Sequence, residues 1–248
     1  MAARAQTCLV QYPDIFTYYF PCEGLCDNCC QDNRELVRSV FNRVAPSTHT
    51  PYEGGDVLRH FTIVGVDELE GAPNDMCGAA NEFWAADGYC INDPRAGYPT
   101  AQAYFCDEVF EDHAEVRSEL QCKDFQIGGN EGDEVSGLYR ITEEMDYLGA
   151  SILHEMLHMN AIGSATGETN EDSPGAAIIK DITGAYGPLG SRMLVQNRLD
   201  DVSPGLAFLN ADSYVWYAVK CVWTNECSAQ LDSERQHRCG RFDEPPAE

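Results

Sequence analysis

Apolar residues recur at helical spacing in several segments, and these segments predict most of the regular structure. One face of residues 33–45 carries a continuous apolar stripe, which predicts an amphipathic helix. Residues 210–223 repeat the pattern, and either Asn210 or Asp212 is a residue type suited to cap the start of that helix. Residues 189–200 contain fewer apolar positions but also favour a helix.

Short runs of β-branched and aromatic residues predict two strands. One is FTIVGV at residues 61–66, and the other is QAYFCDEVF at residues 102–110. Between them, residues 70–100 are rich in Gly, Asn and Asp and are expected to form loops. Residues 127–137 predict a flexible acidic loop, and residues 163–175 predict a turn-rich loop. The chain therefore predicts an α+β fold that is mainly α-helical with a small β-sheet.

The pattern favours a single domain that spans residues 1–248. The length suffices for one large domain, and neither a repeat nor a linker interrupts it. Residues 1–31 are rich in cysteine and aromatic residues, so we expect an irregular segment that disulfides hold in place. Residues 240–248 are expected to form a flexible tail.

Acidic residues greatly outnumber basic ones: 41 Asp and Glu stand against 16 Lys and Arg, for a formal net charge of −25. This charge argues against nucleic acid and anionic membrane surfaces as partners. Two interpretations of it stay open, since it could attract basic substrates or simply keep the protein soluble outside the cell. The sequence also lacks an apolar run of about eighteen residues that could span a membrane.

The chain has 12 cysteines, which suggest disulfides and therefore an oxidising, extracellular compartment. The cluster of Cys22, Cys26, Cys29 and Cys30 could alternatively bind zinc, but its adjacent pair fits tetrahedral ligation poorly. Disulfides are therefore the favoured interpretation, with a connectivity that the spacing does not define. The N-terminus lacks the apolar region of a signal peptide, so a secreted protein would have lost its signal or be missing it here.

The segment SILHEMLHMN contains the string H-E-x-x-H, formed by His154, Glu155 and His158. Apolar residues around it recur at helical spacing and predict a largely buried helix over residues 147–161. Positions four apart lie on one helix face, so both imidazoles can bind one zinc ion while Glu155 stands beside them as a general base. The alternative is a buried helix with two core histidines, but burying these groups together without a metal is costly.

Catalytic zinc keeps three protein ligands and one open position, so a third ligand must be found. A metzincin would need Gly and His where this chain has Ala161 and Ser164, which excludes that arrangement. Glu168 and Glu171 could supply a glutamate ligand, although their segment has little helical character. The remaining choice is Asp181, which follows in IIKDITGAYG.

This last segment resembles the deuterolysin family, the aspzincins, which are secreted fungal zinc proteases. That family pairs H-E-x-x-H with a downstream Asp in the pattern G-T-x-D-x-x-Y-G. NADSYVWYA at residues 210–218 and AYFCDEVF at residues 103–110 are also similar to it, and the resemblance covers roughly residues 100–222. It implies a zincin-like fold, Asp181 as the third zinc ligand, and Tyr186 as the donor that stabilises the oxyanion.

The chain departs from the family pattern in the spacing of these two residues. No G-T precedes Asp181, which lies five residues before Tyr186 instead of three, and Thr183 occupies the expected position. A two-residue insertion would restore Asp181 as a ligand. Three further acidic residues could hydrogen-bond the histidines, although a helix cap or solvated surface is the simpler interpretation for each. They are Asp200, Asp201 and Asp212.

The leading hypothesis is a secreted, monomeric, disulfide-stabilised zinc endopeptidase that acts on protein or peptide substrates. A single zinc ion would be held by His154, His158 and Asp181, with Glu155 as general base and Tyr186 as oxyanion donor. One alternative is a secreted zinc-binding or surface-antigen protein of the same fold that does not cut peptides. The intact Glu155 argues against it, and the irregular spacing before Tyr186 argues for it. Another alternative is a structural disulfide-rich domain without metal.

Overall fold

The structure is a computed structural model, and it describes residues 1–22, 30–45, 61–65, 89–93, 100–105, 145, 148–169 and 176–234. Within this part the chain is mainly helical, with a small β-sheet and two disulfides. The predicted acidic loop at 127–137 and the predicted tail at 240–248 lie outside the described residues.

The N-terminal segment is helical, so the prediction of an irregular segment over residues 1–31 is wrong for most of its described part. Helix α1 spans Ala2–Gln11 and helix α2 spans Pro13–Tyr19. Proline at the first position of α2 suits a helix start, because that position needs no amide hydrogen. Helix α3 spans Gln31–Val44, which confirms the predicted amphipathic helix.

The sheet contains strands β1 (Phe61–Gly65), β2 (Tyr89–Asp93) and β3 (Thr100–Phe105), in the order β1-β3-β2. Strand β3 pairs with β1 in parallel and with β2 in antiparallel orientation. Both predicted strands are confirmed, and residues 106–110 of the second lie outside the described part. The loop predicted for residues 70–100 is wrong at β2, which forms because it pairs with β3.

The helix that carries the histidines is shorter than predicted. Helix α4 spans Leu148–Leu157, and a separate short helix, α5, spans Asn160–Gly163 and continues into a 3₁₀ turn. Met159 between them has an extended backbone with ψ 125°. The amide of Met159 donates to Met156 O three residues back at 3.0 Å, so the helix tightens before it ends. The prediction of one helix over 147–161 is therefore wrong at this break.

The C-terminal part contains helix α6 (Gly187–Val195), a 3₁₀ helix (Pro204–Leu209) and the long helix α7 (Ala211–Glu234). Both predicted helices exist, with different bounds. Helix α6 ends at Val195, before the predicted end at residue 200. Asn197, two residues further on, takes a positive φ of 55°. Helix α7 continues past the predicted residue 223.

Helix α7 lies at the centre of the helical core and packs against α1, α2, α4 and α6. Aromatic rings of α2 and α3 contact those of α7 edge-on, and a disulfide between Cys8 and Cys221 joins α1 to α7. On the other side, Leu148 and Ile152 of α4 pack against strand β3. Helix α4 is therefore held between the sheet and the helical core. None of the described helices combines the length and the apolar character that crossing a bilayer requires.

Candidate metal centre

His154 in the last turn of α4 and His158 directly after the helix lie close together, and both face Asp181 in the segment that precedes α6. The Asp181 Oδ1 atom lies 3.0 Å from His154 Nε2 and 3.6 Å from His158 Nε2. The potential ligand atoms of the three residues all lie within 4.8 Å of one another. The group could therefore hold a metal ion, as the sequence predicts.

The remaining ring nitrogens of the two histidines have partners of their own. His158 Nδ1 lies 2.9 Å from Ile179 O, and because a carbonyl oxygen only accepts, this nitrogen must carry hydrogen. His154 Nδ1 lies 2.9 Å from Asp212 Oδ1. Such partners orient the imidazoles so that both Nε2 atoms face Asp181, the orientation that a shared metal ion requires.

Backbone hydrogen bonds hold the segment that carries Asp181. The Lys180 amide donates to Leu209 O at 2.8 Å, and the Ala211 amide donates to Lys180 O at 3.1 Å. Upstream, the Ile178 amide donates to Asn160 Oδ1 at 3.0 Å. The start of α5 and the start of α7 therefore fix the backbone on which the third ligand depends.

A tight turn separates Asp181 from Tyr186. The Ala185 amide donates to Ile182 O at 2.8 Å, and Gly184 at the third position has φ +81°, as type II turns require. The residues that flank a turn come close together, and the Tyr186 hydroxyl hydrogen-bonds the Asp181 carboxylate. The four residues between Asp181 and Tyr186 therefore form one turn, which accounts for the longer spacing in this chain.

The electrostatics of the three residues differ, although burial acts on all of them. Burial disfavours the charged form of His154, but hydrogen bonds to Asp181 and Asp212 outweigh it and raise its pKa well above the usual value. Burial and the neighbouring His154 lower the pKa of His158. Burial opposes ionisation of Asp181, but the hydrogen bond from His154 and the histidine charges lower its pKa.

Two more of the predicted residues neighbour the ligands, Glu155 along the chain and Tyr186 by contact with Asp181. Glu155 follows His154 on α4 and is buried, with 3% of its surface exposed. Tyr186 is exposed to 56% at the start of α6. Its hydroxyl reaches the carboxylate of the candidate ligand Asp181. One of these groups is thus packed into the protein and the other borders solvent.

The other candidates for the third ligand and for the partners of the histidines differ in where they lie. Glu168 is exposed and takes no part in the group, and Glu171 lies outside the described residues. Asp200 and Asp201 are exposed. For Asp212 the preferred interpretation as a cap or surface residue is wrong, because it is 7% exposed and its two oxygens bind His154 Nδ1 and the Gly187 amide.

Two asparagine side chains hydrogen-bond the segment that carries Asp181, and the sequence did not predict either contact. Asn160 holds the Ile178 amide, and Asn210 accepts from the Ile182 amide at 3.2 Å. Asn210 was expected only as a possible helix cap. A polar residue at the first turn of an otherwise apolar helix was the one available signal, and it does not identify the partner.

No protein-family profile, curated protein or solved structure matches the chain. The resemblance to the aspzincins therefore stays a prediction that rests on the motif residues. What the protein does has to be inferred from the chemistry of the group formed by His154, His158 and Asp181.

Proposed function

We propose that this protein is a secreted zinc endopeptidase with a zincin-like fold, similar to the aspzincins. The observation that carries the proposal is the convergence of His154, His158 and Asp181 at one point, with the buried Glu155 next to His154 in the chain. Two imidazoles and one carboxylate are a common ligand set of catalytic zinc, and they leave a position for water or substrate.

The distances between the donor atoms suit a small tetrahedral ion. Zinc binds nitrogen and carboxylate oxygen at about 2.0–2.2 Å, which separates tetrahedral donors by roughly 3.4 Å. The separations of 3.0 and 3.6 Å between Asp181 Oδ1 and the two Nε2 atoms bracket that value. The second nitrogens, bound to Asp212 and to a backbone carbonyl, support the fit, since ligating histidines have such partners.

Two side chains would then perform the proton and charge chemistry. When bound, zinc would polarise the scissile carbonyl and lower the pKa of a water molecule. Glu155 would take a proton from the attacking water and deliver it to the leaving amine. Tyr186 would donate its hydroxyl hydrogen to the carbonyl oxygen as negative charge develops there, since its side chain borders both solvent and Asp181.

Further features support the setting of this proposal. The disulfides Cys8–Cys221 and Cys22–Cys30 favour an oxidising compartment. The net charge of −25 favours peptides with basic residues as substrates, and the chemistry requires no second subunit. We therefore propose a secreted monomer that cuts protein or peptide substrates.

The test is the variant Glu155→Gln. It keeps all three ligands, so metal analysis should still find one zinc ion per chain. Casein digestion should fall by about a hundredfold or more, because the general base is lost. Glu168→Gln, at an exposed position, is the matched control and should keep full activity. Full digestion by Glu155→Gln would contradict the mechanism.

A second candidate is a zinc-binding protein that does not cut peptides. The burial of Glu155 and the hydrogen bond between Tyr186 and Asp181 favour it, because a buried carboxylate and a hydroxyl bound to a ligand are both less accessible to a substrate. The two candidates differ in one experiment on the unmodified protein. Stoichiometric zinc together with casein digestion supports the peptidase, whereas stoichiometric zinc without digestion supports the binding protein.

A further inference from the structure

We propose that Asn210 is a positioning residue of the metal centre. It holds both ends of the turn Ile182–Ala185, which we name the spacer turn, and it thereby aligns Asp181 with Tyr186. This inference rests on the proposed function, because it concerns the same site. It adds a residue that contacts neither the metal ligands' side chains nor substrate.

The side chain of Asn210 contacts the spacer turn at its first and last residues. Its Oδ1 accepts from the Ile182 amide at 3.2 Å, and its Nδ2 donates to Ala185 O at 3.4 Å. Nδ2 also donates to Ser213 Oγ in the first turn of α7 at 3.0 Å. Only 1% of the residue is exposed, so water does not compete for these bonds.

A carboxamide is the side chain that this position requires. The Ile182 amide needs an acceptor, and Ala185 O, which also accepts from the Ser191 hydroxyl, takes a second donor; one Asn supplies both groups. The carboxylate of Asp lacks the donor, and Ala lacks both groups. The backbone of Asn210 is anchored as well, because it forms a parallel bridge with Lys180, directly before Asp181.

The two residues that flank the spacer turn are the ones whose positions matter for chemistry. Asp181 precedes the turn, and Tyr186 follows it. On the far side of Tyr186, the Gly187 amide donates to Asp212 Oδ2 at 2.6 Å. The backbone of Tyr186 is therefore held from both sides by residues at the start of α7.

The spacer turn bears on both the core and the site. Its end residues, Ile182 and Ala185, are buried in the hydrophobic core, whereas its central residues, Thr183 and Gly184, are exposed. The path of the central residues sets the distance between the Asp181 carboxylate and the Tyr186 hydroxyl. A substitution at Asn210, directly before α7, should therefore weaken zinc binding more than a matched substitution within α7 does.

The experiment compares Asn210→Ala and Asn210→Asp with the control Ser213→Ala, which removes only the bond from Asn210 to its own helix. Zinc affinity is measured by competition with a chromophoric chelator, and the visible spectrum of the Co²⁺-loaded protein reports ligand geometry. Both Asn210 variants should bind zinc about 10–100-fold more weakly than Ser213→Ala, as loss of a partner that orients a ligand does. Their Co²⁺ spectra should also change. Should Asn210→Ala fold poorly, Asn210→Asp, which keeps the volume and the acceptor, carries the test.

Equal zinc affinities and equal Co²⁺ spectra in the Asn210 variants and Ser213→Ala would overturn the proposal. Amide hydrogen exchange of residues 182–187 in chelator-treated protein separates this from failure of the proposed function. Faster exchange in Asn210→Ala but not in Ser213→Ala supports the role of Asn210 in the spacer turn even if the wild type binds no zinc. Unchanged exchange overturns that role whether or not zinc binds.

Discussion

The two histidines of the group differ in the partners of their second ring nitrogens. His154 lies between two carboxylates, those of Asp181 and Asp212, whereas His158 contacts a backbone carbonyl. Two neighbouring negative charges favour the protonated form of His154 despite its burial. A proton on His154 Nε2 therefore competes with a metal ion for that nitrogen.

This competition predicts a pH dependence. The raised pKa of His154 contributes stability that is fully present below its unfolded pKa of about 6.5 and is lost as pH rises through the folded pKa. As pH rises above about 6.5, the unfolding free energy of chelator-treated protein should therefore fall. Over the same range the affinity of the protein for zinc should rise, because the competing proton is lost. Calorimetry in two buffers of different ionisation enthalpy should detect a proton released per zinc bound. The control His154→Gln lacks this imidazole, so proton release by the wild type that does not exceed that of the control would contradict the prediction.

Asp212→Asn tests the carboxylate that orients His154. The amide keeps an acceptor for one partner but loses the charge, and its NH₂ group cannot accept from the Gly187 amide. Zinc affinity should fall about 10–100-fold in chelator competition. Asp200→Asn, at an exposed position, is the control and should bind zinc like the wild type. Equal affinities in the two variants would show that Asp212 does not support the ligand.

At the scale of elements, helix α6 and the spacer turn make backbone contact. A Cβ atom added at Gly190 would lie 2.8 Å from Ala185 C and 2.9 Å from Gly184 O, so neither can yield cheaply. Ser191, the next residue, donates its hydroxyl to Ala185 O at 3.1 Å. The close approach of α6 therefore contributes to the path of the chain from Asp181 to Tyr186.

Gly190→Ala should consequently destabilise the protein. The added methyl forces a backbone shift, which costs roughly 1–3 kcal/mol of unfolding free energy. Gly205→Ala is the matched control, because its Cβ would meet nothing closer than Ser203 Oγ at 3.7 Å. We expect its effect to stay within about 0.5 kcal/mol. Urea denaturation measures both, and similar midpoints for the two variants would refute the close approach.

At the scale of the whole molecule, the disulfide Cys8–Cys221 joins α1 to α7 through two cysteines that are 213 residues apart in sequence. It links α1, near the N-terminus, to α7, at whose start Asn210 and Asp212 hydrogen-bond residues of the metal centre and the spacer turn. The Tyr217 hydroxyl also donates to Ala5 O at 3.4 Å, so the two helices share a second link. The N-terminal segment is thus part of the core that supports the site.

Removal of this disulfide should cost more stability than removal of Cys22–Cys30. Taken alone, loop-closure entropy predicts roughly 5 kcal/mol for a separation of 213 residues and roughly 2.5 kcal/mol for one of 8. The double variants Cys8→Ala with Cys221→Ala, and Cys22→Ala with Cys30→Ala, make the comparison by thermal unfolding. A larger loss from the shorter loop would contradict the prediction.

The sequence by itself determined those features that depend on neighbours along the chain. The apolar stripe of α3 and the run of β-branched residues in β1 predict these elements, because each pattern reports the face that one element buries. The spacing of His154 and His158 predicts a shared face, because residues four apart on a helix are always neighbours. Even there, periodicity did not reveal the break at Met159, since an apolar residue suits a helix and an extended linker equally.

The tertiary structure alone decided the contacts between distant segments. Asp212 became the partner of His154, and Asn210 became the support of the spacer turn, through the packing of α7 against the segment of Asp181. Strand β2 likewise exists through its pairing with β3. The neighbouring residues in the sequence do not define the partner in any of these contacts, because the same local sequence suits a helix cap, a surface residue or a loop. The local pattern therefore predicts which side chains can bind a metal. Only the packing of α4, α7 and the segment that carries Asp181 decides which other residues hold those side chains in place.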